Sequence, residues 1–82
     1  MIQQFITETK IFIQSGQTDT QANAVLFINT GTINVTIDGL VLQPSQSWDI
    51  SGNRNEMLVK VYTIYFSTTT GASCTVIYKR YV

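Results

Sequence analysis

Apolar and polar side chains alternate with a period of two through residues 31–38, where Ile33, Val35 and Ile37 share one parity and Thr32, Asn34, Thr36 and Asp38 the other. Because successive strand side chains point to opposite faces, this predicts a strand with one covered face and one neutral polar face. Asp38-Gly39 follows at once, a pair able to supply the two positive φ angles of a tight hairpin turn. Leu40, Val41 and Leu42 return as a second strand, and Pro44, with no N–H to donate, ends the ladder. Residues 46–50 then resume as a short strand in which Trp48 and Ile50 share a face.

The same punctuation covers the rest of the chain. Residues 4–14 read as a first strand, with Phe5, Ile6, Ile11, Phe12 and Ile13 around a polar centre, and the mixed phase predicts a kink or bulge. Residues 15–21 predict a polar loop around Gly16. The unbroken apolar run of residues 24–28 predicts a central strand covered on both faces. Residues 51–55 form a turn, and residues 56–66 predict the longest strand, covered on both faces or bulged near Val61 and Tyr62. Residues 67–72 read as a hairpin loop, and residues 73–82 as a closing strand with Cys74, Val76 and Tyr78 on one side.

No segment carries a 3.6-residue period. The predicted fold class is therefore all-β: one domain over residues 1–82, a compact antiparallel β-sandwich or barrel of roughly six to seven strands with negligible helix. Residues 1–14 serve in this reading as an edge strand or a docking arm.

Composition turns attention to partners. A chain of 82 residues leaves a large share of its surface in water, and small domains of this kind lean on staples or on neighbours. Cys74 is the only cysteine and histidine is absent, so an internal disulfide is excluded and a zinc site of thiolates and imidazoles has no ligand set. Charged residues make up 12% of the chain, about half of the roughly 25% usual in soluble domains. Neutral polar surface suits contact with protein, and edge strands are left with few charged guards against pairing.

Charge also narrows the ligand classes. The five acidic and five basic residues cancel, and the adjacent pair Lys79-Arg80, flanked by Tyr78 and Tyr81, is too small a basic cluster for a nucleic-acid footprint. The N-terminus lacks a basic segment leading into a long apolar core, so it does not read as a secretory signal, and no apolar run approaches the length of a membrane span. Neither nucleic acid nor membrane is expected as a partner.

Catalysis finds no footing. Without histidine, the usual general base near neutral pH is missing, and so is the base of a serine or cysteine triad. Asp49 and Glu56 are the most plausible carboxylate pair for a glycosidase mechanism, yet each sits beside a turn and reads as a solvated residue. The glycines belong to turns rather than to a phosphate-binding loop. Cys74, within an alternating strand, reads as a small buried hydrophobe. No catalytic residue, metal or cofactor is assigned.

The sequence from Asn29 to Glu56, NTGTINVTIDGLVLQPSQSWDISGNRNE, followed by VKVYTIYF, resembles small accessory structural proteins of tailed bacteriophage virions. The features shared are a strand with a neutral, Thr-rich face, a D-G hairpin, an L-x-P-G-x-S-like turn and a strand ending in aromatics. Here the turn is Leu42-Gln43-Pro44-Ser45-Gln46-Ser47, with Ser45 where glycine is more usual. The resemblance implies a non-enzymatic protein repeated on a capsid as decoration, in a neck or at a fibre base, made in the bacterial host cytoplasm and carried in the virion.

Two modes of assembly fit that expectation. In the first, a homo-oligomer apposes apolar sheet faces, with Phe5, Trp48, Tyr62, Tyr65 and Tyr81 as candidate interface anchors over an area of about 1,600 Å² or more. In the second, residues 1–14 add as a strand to another virion protein's sheet. The alternative function is a carbohydrate-binding β-sandwich, in which Trp48 beside Asp49 and the tyrosines would form a glycan platform.

Overall fold

A computed structural model describes residues 4–82. Eight strands follow in chain order: β1 (Phe5–Phe12), β2 (Gly16–Asp19), β3 (Ala24–Asn29), β4 (Val35–Ile37), β5 (Leu40–Leu42), β6 (Ser47–Ile50), β7 (Val61–Tyr65) and β8 (Cys74–Tyr81). They form two antiparallel four-stranded sheets, ordered β1-β8-β3-β6 and β2-β7-β4-β5. None of the described residues is helical. The all-β class is thus as expected, but the strands number eight rather than six or seven. Residues 1–3 of the expected arm lie outside the described residues.

The Asp-Gly hairpin forms as its sequence requires. Asp38 and Gly39 have φ of 48° and 87°, and Val35, Thr36 and Ile37 pair with Leu42, Val41 and Leu40. Asp38 also ties the turn to the neighbouring strand: its Oδ1 accepts the Thr63 N–H at 2.8 Å, and Lys60 Nζ lies 3.1 Å from Oδ2. The Thr63 N–H above all, helped by Lys60, holds this carboxyl below the ordinary carboxylate value. At the next turn the Gln46 N–H donates to the Gln43 carbonyl at 3.0 Å. Ser45 there has φ of 73°, the third position of a type II turn, where glycine is favoured.

The extra strand is β2, in a segment expected to be a loop. Gly16, Gln17, Thr18 and Asp19 carry no apolar residue, so periodicity has nothing to register. Pairing with β7 makes the strand, and its covered face is filled by Thr18, whose hydroxyl is hydrogen-bonded to the Tyr78 hydroxyl in the opposite sheet. Conversely, residues 56–60 fall out of the predicted longest strand. Only Leu58 bridges, to Ala22, while Thr20 Oγ1 takes the place of a ladder by accepting the Lys60 N–H at 3.1 Å and lying 2.9 Å from the Leu58 carbonyl.

Two further expectations change in detail. β1 runs without a bulge in one register from Phe5↔Tyr81 to Phe12↔Cys74. Its mixed phase has another cause: residues 5–11 are exposed on both faces, so neither parity is selected for a core. β3 is central, between β8 and β6, yet only Val25, Phe27 and Asn29 are buried, with Ala24, Leu26 and Ile28 half-buried on the outer face.

One apolar cluster joins the sheets. Val25, Phe27, Cys74, Val76 and Tyr78 from the first meet Val35, Ile37, Leu42, Tyr62 and Ile64 from the second. At its centre Phe27 stacks on Trp48 at 5.7 Å and meets the edge of Tyr62 at 5.2 Å, and Trp48 and Tyr62 are perpendicular at 5.8 Å. Each such aromatic pair adds about 0.5–1.5 kcal/mol beyond burial of its area.

Buried amides fasten the loops. Asn29 Nδ2 donates to the carbonyls of Ile33 and Leu42, both at 2.8 Å, and its Oδ1 accepts the Gly31 N–H at 3.0 Å. Asn23 Nδ2 donates to the Glu56 carbonyl at 2.7 Å, and its Oδ1 accepts the Tyr81 N–H at 2.9 Å. Among the described residues no buried side-chain nitrogen or oxygen lacks a partner.

Two substitutions test these devices by urea denaturation. Asn29→Asp places a carboxylate against two carbonyls and is expected to cost about 3 kcal/mol or more. Ser45→Gly relieves the left-handed backbone and is expected to raise stability by about 0.5 kcal/mol, the strain released being partly offset by the greater freedom of glycine in the unfolded chain.

Candidate functional site

The pleat sorts the first sheet into two faces. Its inner face carries Phe12, Cys74, Val76, Tyr78, Val25, Phe27, Trp48 and Ile50, all buried or packed against the core. On the outer face, Thr9, Ile77, Leu26 and Asp49 lie in one cross-strand row, and Ile11, Thr75, Ile28 and Ser47 in the next. The outer face mixes apolar and hydroxyl side chains and is close to neutral, with Asp49 and Lys79 as its charges. β1, paired among the described residues only with β8, closes it at one side.

The five candidate anchors separate into three environments. Phe5 and Tyr81 come together at the end of β1, edge to face at 6.0 Å, with Lys79 Nζ 4.4 Å from the Phe5 ring and 5.0 Å from the Tyr81 ring. Phe5 is 53% exposed, so this pair is open to a partner. Tyr65 is exposed on the outer face of the other sheet, in register with Thr36, which in turn faces Val41. Tyr62, by contrast, is only 4% exposed; its parity turns it into the core, and it cannot anchor an interface. Trp48 is half-buried with its ring engaged by Phe27 and Tyr62, which makes it a packing residue rather than an open platform.

Exposed apolar residues that the candidate anchors do not include are Ile6, Ile11 and Ile13 at the first strand, with Leu40, Val41, Met57, Val59, Val61 and Val82 elsewhere. The sequence reading gives the three isoleucines as apolar surface of a first strand that serves as an edge or a docking arm. The signal in the sequence was the even parity of β1, where Glu8 and Lys10 stand between Ile6 and Phe12: a strand face with two charges at its middle does not suit a core.

A shallow hollow of about 190 Å³ opens on the outer face. Ala24, Leu26 and Ile77 contribute apolar lining, and Thr7, Asp49 and Lys79 add polar groups. Sites that enclose a small molecule run from about 300 to 1,000 Å³, so this hollow is too small to bury a substrate. The carboxylates considered for catalysis have local partners: Asp49 Oδ1 accepts from the Ser51 hydroxyl at 3.3 Å, and Glu56 Oε1 accepts the Asn53 N–H at 2.9 Å.

Lys79 and Arg80, adjacent in sequence, are divided by the pleat. Lys79 lies over the Phe5–Tyr81 pair, whereas Arg80 is tied to Glu8 at 2.9 Å and to the Gln21 carbonyl at 2.8 Å. They do not make a joint phosphate clamp. Among the described residues no three His, Cys, Asp or Glu side chains are grouped so as to hold a metal ion. No helix among them is long and apolar enough to cross a membrane.

Cys74 is fully buried, and loss of hydration pushes its thiol up to about 11 from 9.0. Burial raises Tyr78 as well. Both groups ionise more readily in the unfolded chain, so stability is complete below about pH 9 and falls as pH rises, the Cys74 contribution to that loss ending near pH 11. Urea midpoints are expected to fall between pH 9 and 11, and less steeply in Cys74→Ala. At pH 8 a thiol reagent is expected to label the native protein at least about a hundredfold more slowly than the unfolded chain, because only the exposed thiolate reacts.

Comparison of the chain with known protein families, characterised proteins and solved structures finds no match.

Proposed function

We propose that this chain is a non-enzymatic structural protein of a bacteriophage virion, a β-sandwich that assembles through β-sheet and apolar contacts as a capsid decoration, neck or fibre-base component. The resemblance of residues 29–56 to accessory virion proteins supplies the virion part of this reading. The assembly part is carried by one observation: among the described residues eleven large hydrophobic side chains are exposed, four of them, Phe5, Ile6, Ile11 and Ile13, on or beside a single edge strand. Apolar exposure concentrated in this way marks a surface that another protein covers.

Shape and charge support the same conclusion. The radius of gyration is 13.2 Å, against about 12 Å for a globule of this length, and the principal extents are 47 × 19 × 16 Å. A body this slender has a thin core and a large lateral surface. With charged residues at only 12%, that lateral surface has little to keep copies apart. The partners in this reading are further copies of the chain and other virion proteins; it requires no cofactor. A glycan-binding role has lost its leading residue, since Trp48 packs on Phe27.

Two measurements test the proposal. Mass spectrometry of purified virions from the source is expected to detect the chain at many copies per particle, and its absence from virions would sink the virion assignment. Light scattering at micromolar concentration is expected to give a homo-oligomer; a monomer would remove the self-assembly part.

A further inference from the structure

The free edge of β1 has a defined hydrogen-bonding phase. The Val82 N–H donates to the Gln4 carbonyl at 3.0 Å, and the β1–β8 register continues from there without interruption. In an antiparallel ladder, alternate residues bond to one neighbour and the intervening ones turn their backbone groups the other way. Gln4, Ile6, Glu8, Lys10 and Phe12 therefore bond toward β8. The N–H and C=O groups of Phe5, Thr7, Thr9 and Ile11 point to the side where β1 has no neighbouring strand among the described residues.

Residues 5–13, FITETKIFI, are self-complementary about Thr9. In an antiparallel pairing of two copies centred there, Glu8 of each copy faces Lys10 of the other. Ile6 faces Phe12, Thr7 faces Ile11, and Phe5 faces Ile13. Within β1 the outward-bonding Thr7, Thr9 and Ile11 then face Ile11, Thr9 and Thr7 of the other copy, so the ladder closes with matched donors and acceptors. Moving the centre by one residue sets Glu8 against Glu8 or Lys10 against Lys10, and like charges directly opposite are destabilising.

We propose that β1 pairs edge to edge with β1 of a second copy, with the two-fold axis through Thr9, joining two four-stranded sheets into one of eight. This builds on the assembly reading above and specifies its interface. A two-fold, isologous contact needs a surface that complements itself, and the Glu8–Lys10 crossing provides that complementarity. Among the described residues these side chains stay uncovered: residues 5–11 are exposed. Glu8 keeps a second carboxylate oxygen beyond the one bound to Arg80, and Lys10 Nζ lies 5.4 Å from the Tyr78 ring with no carboxylate in ion-pair range among the described residues. The edge lacks proline, and its two inward-parity charges, Glu8 and Lys10, which would guard a lone edge against pairing, are opposite in sign and meet each other in this register.

The test is a charge exchange followed by sedimentation equilibrium, with circular dichroism confirming that each variant is folded. Glu8→Lys alone and Lys10→Glu alone are each expected to weaken self-association at least about tenfold, since both crossings become repulsive. An equimolar mixture of the two is expected to recover wild-type affinity as a heterodimer, and the double variant E8K/K10E to recover it as a homodimer. Thr9→Cys is expected to form an interchain disulfide on mild oxidation. Failure of the mixture and the double variant to recover affinity would overturn the register. Unchanged association in the single variants would overturn the β1 interface while leaving assembly through another face intact, and a monomeric wild type would overturn the dimer itself. Detection of the chain in virions stands independently of each of these results.

Discussion

Each sheet of this protein is apolar on one face, and neither can exist in water unless the other covers it. The cover is centred on Phe27, Trp48 and Tyr62, three rings that reach across the space between the sheets. With no disulfide available to a chain holding one cysteine, this contact does what a crosslink does in other small β domains. It also sets a limit on width. The core gathers around β3, β8, β7 and β4, and β1 extends past it, attached by a backbone ladder and by Phe12 at one end.

Burial of polar groups completes the structure where apolar side chains run out. Asn29 occupies a core position on β3, but its amide satisfies two carbonyls and one N–H in the connection toward β4 and at the end of β5. Asn23 performs the same task for the turn at residues 53–56, and Thr20 for the irregular stretch before β7. An amide offers both donors and an acceptor, which makes it able to fix a loop from inside without leaving a buried group unpaired. These contacts replace length of strand, and they account for β4 and β5 holding together at three residues each.

The proposed function rests on what this arrangement leaves uncovered. The outer face of the first sheet is close to neutral, the hollow on it is shallow, and its lysine, Lys79, lies over the Phe5 and Tyr81 rings. The exposed edge of β1 gathers apolar residues on both of its faces around one acidic and one basic side chain. A surface so composed is suited to meeting protein, and its pattern of charge can select a register.

Turn chemistry was legible in the sequence because it is local. Asp38-Gly39 and Pro44-Ser45 specify backbone angles whatever surrounds them, and both turns formed as read. Alternation likewise identified β4 and β8, since each has one face in the core. Gly16–Asp19 was missed because its strand character comes entirely from pairing with β7 and from a threonine hydroxyl meeting Tyr78. Residues 56–60 were overcalled because apolar side chains there have strand propensity but meet only an isolated bridge. Phe5, Tyr65 and Tyr81 remain surface candidates, while Tyr62 and Trp48 went to the core because parity within a strand does not say which parity faces inward.

What the sequence determined by itself was the class of fold, the positions of its tight turns and the absence of a disulfide, all consequences of residue type and spacing of nearest neighbours. Only the tertiary structure decided which strands pair, which aromatic rings are covered and which edge stays open. Those outcomes depend on contacts between residues far apart in the chain, and their energies belong to the assembled pair of sheets rather than to any segment.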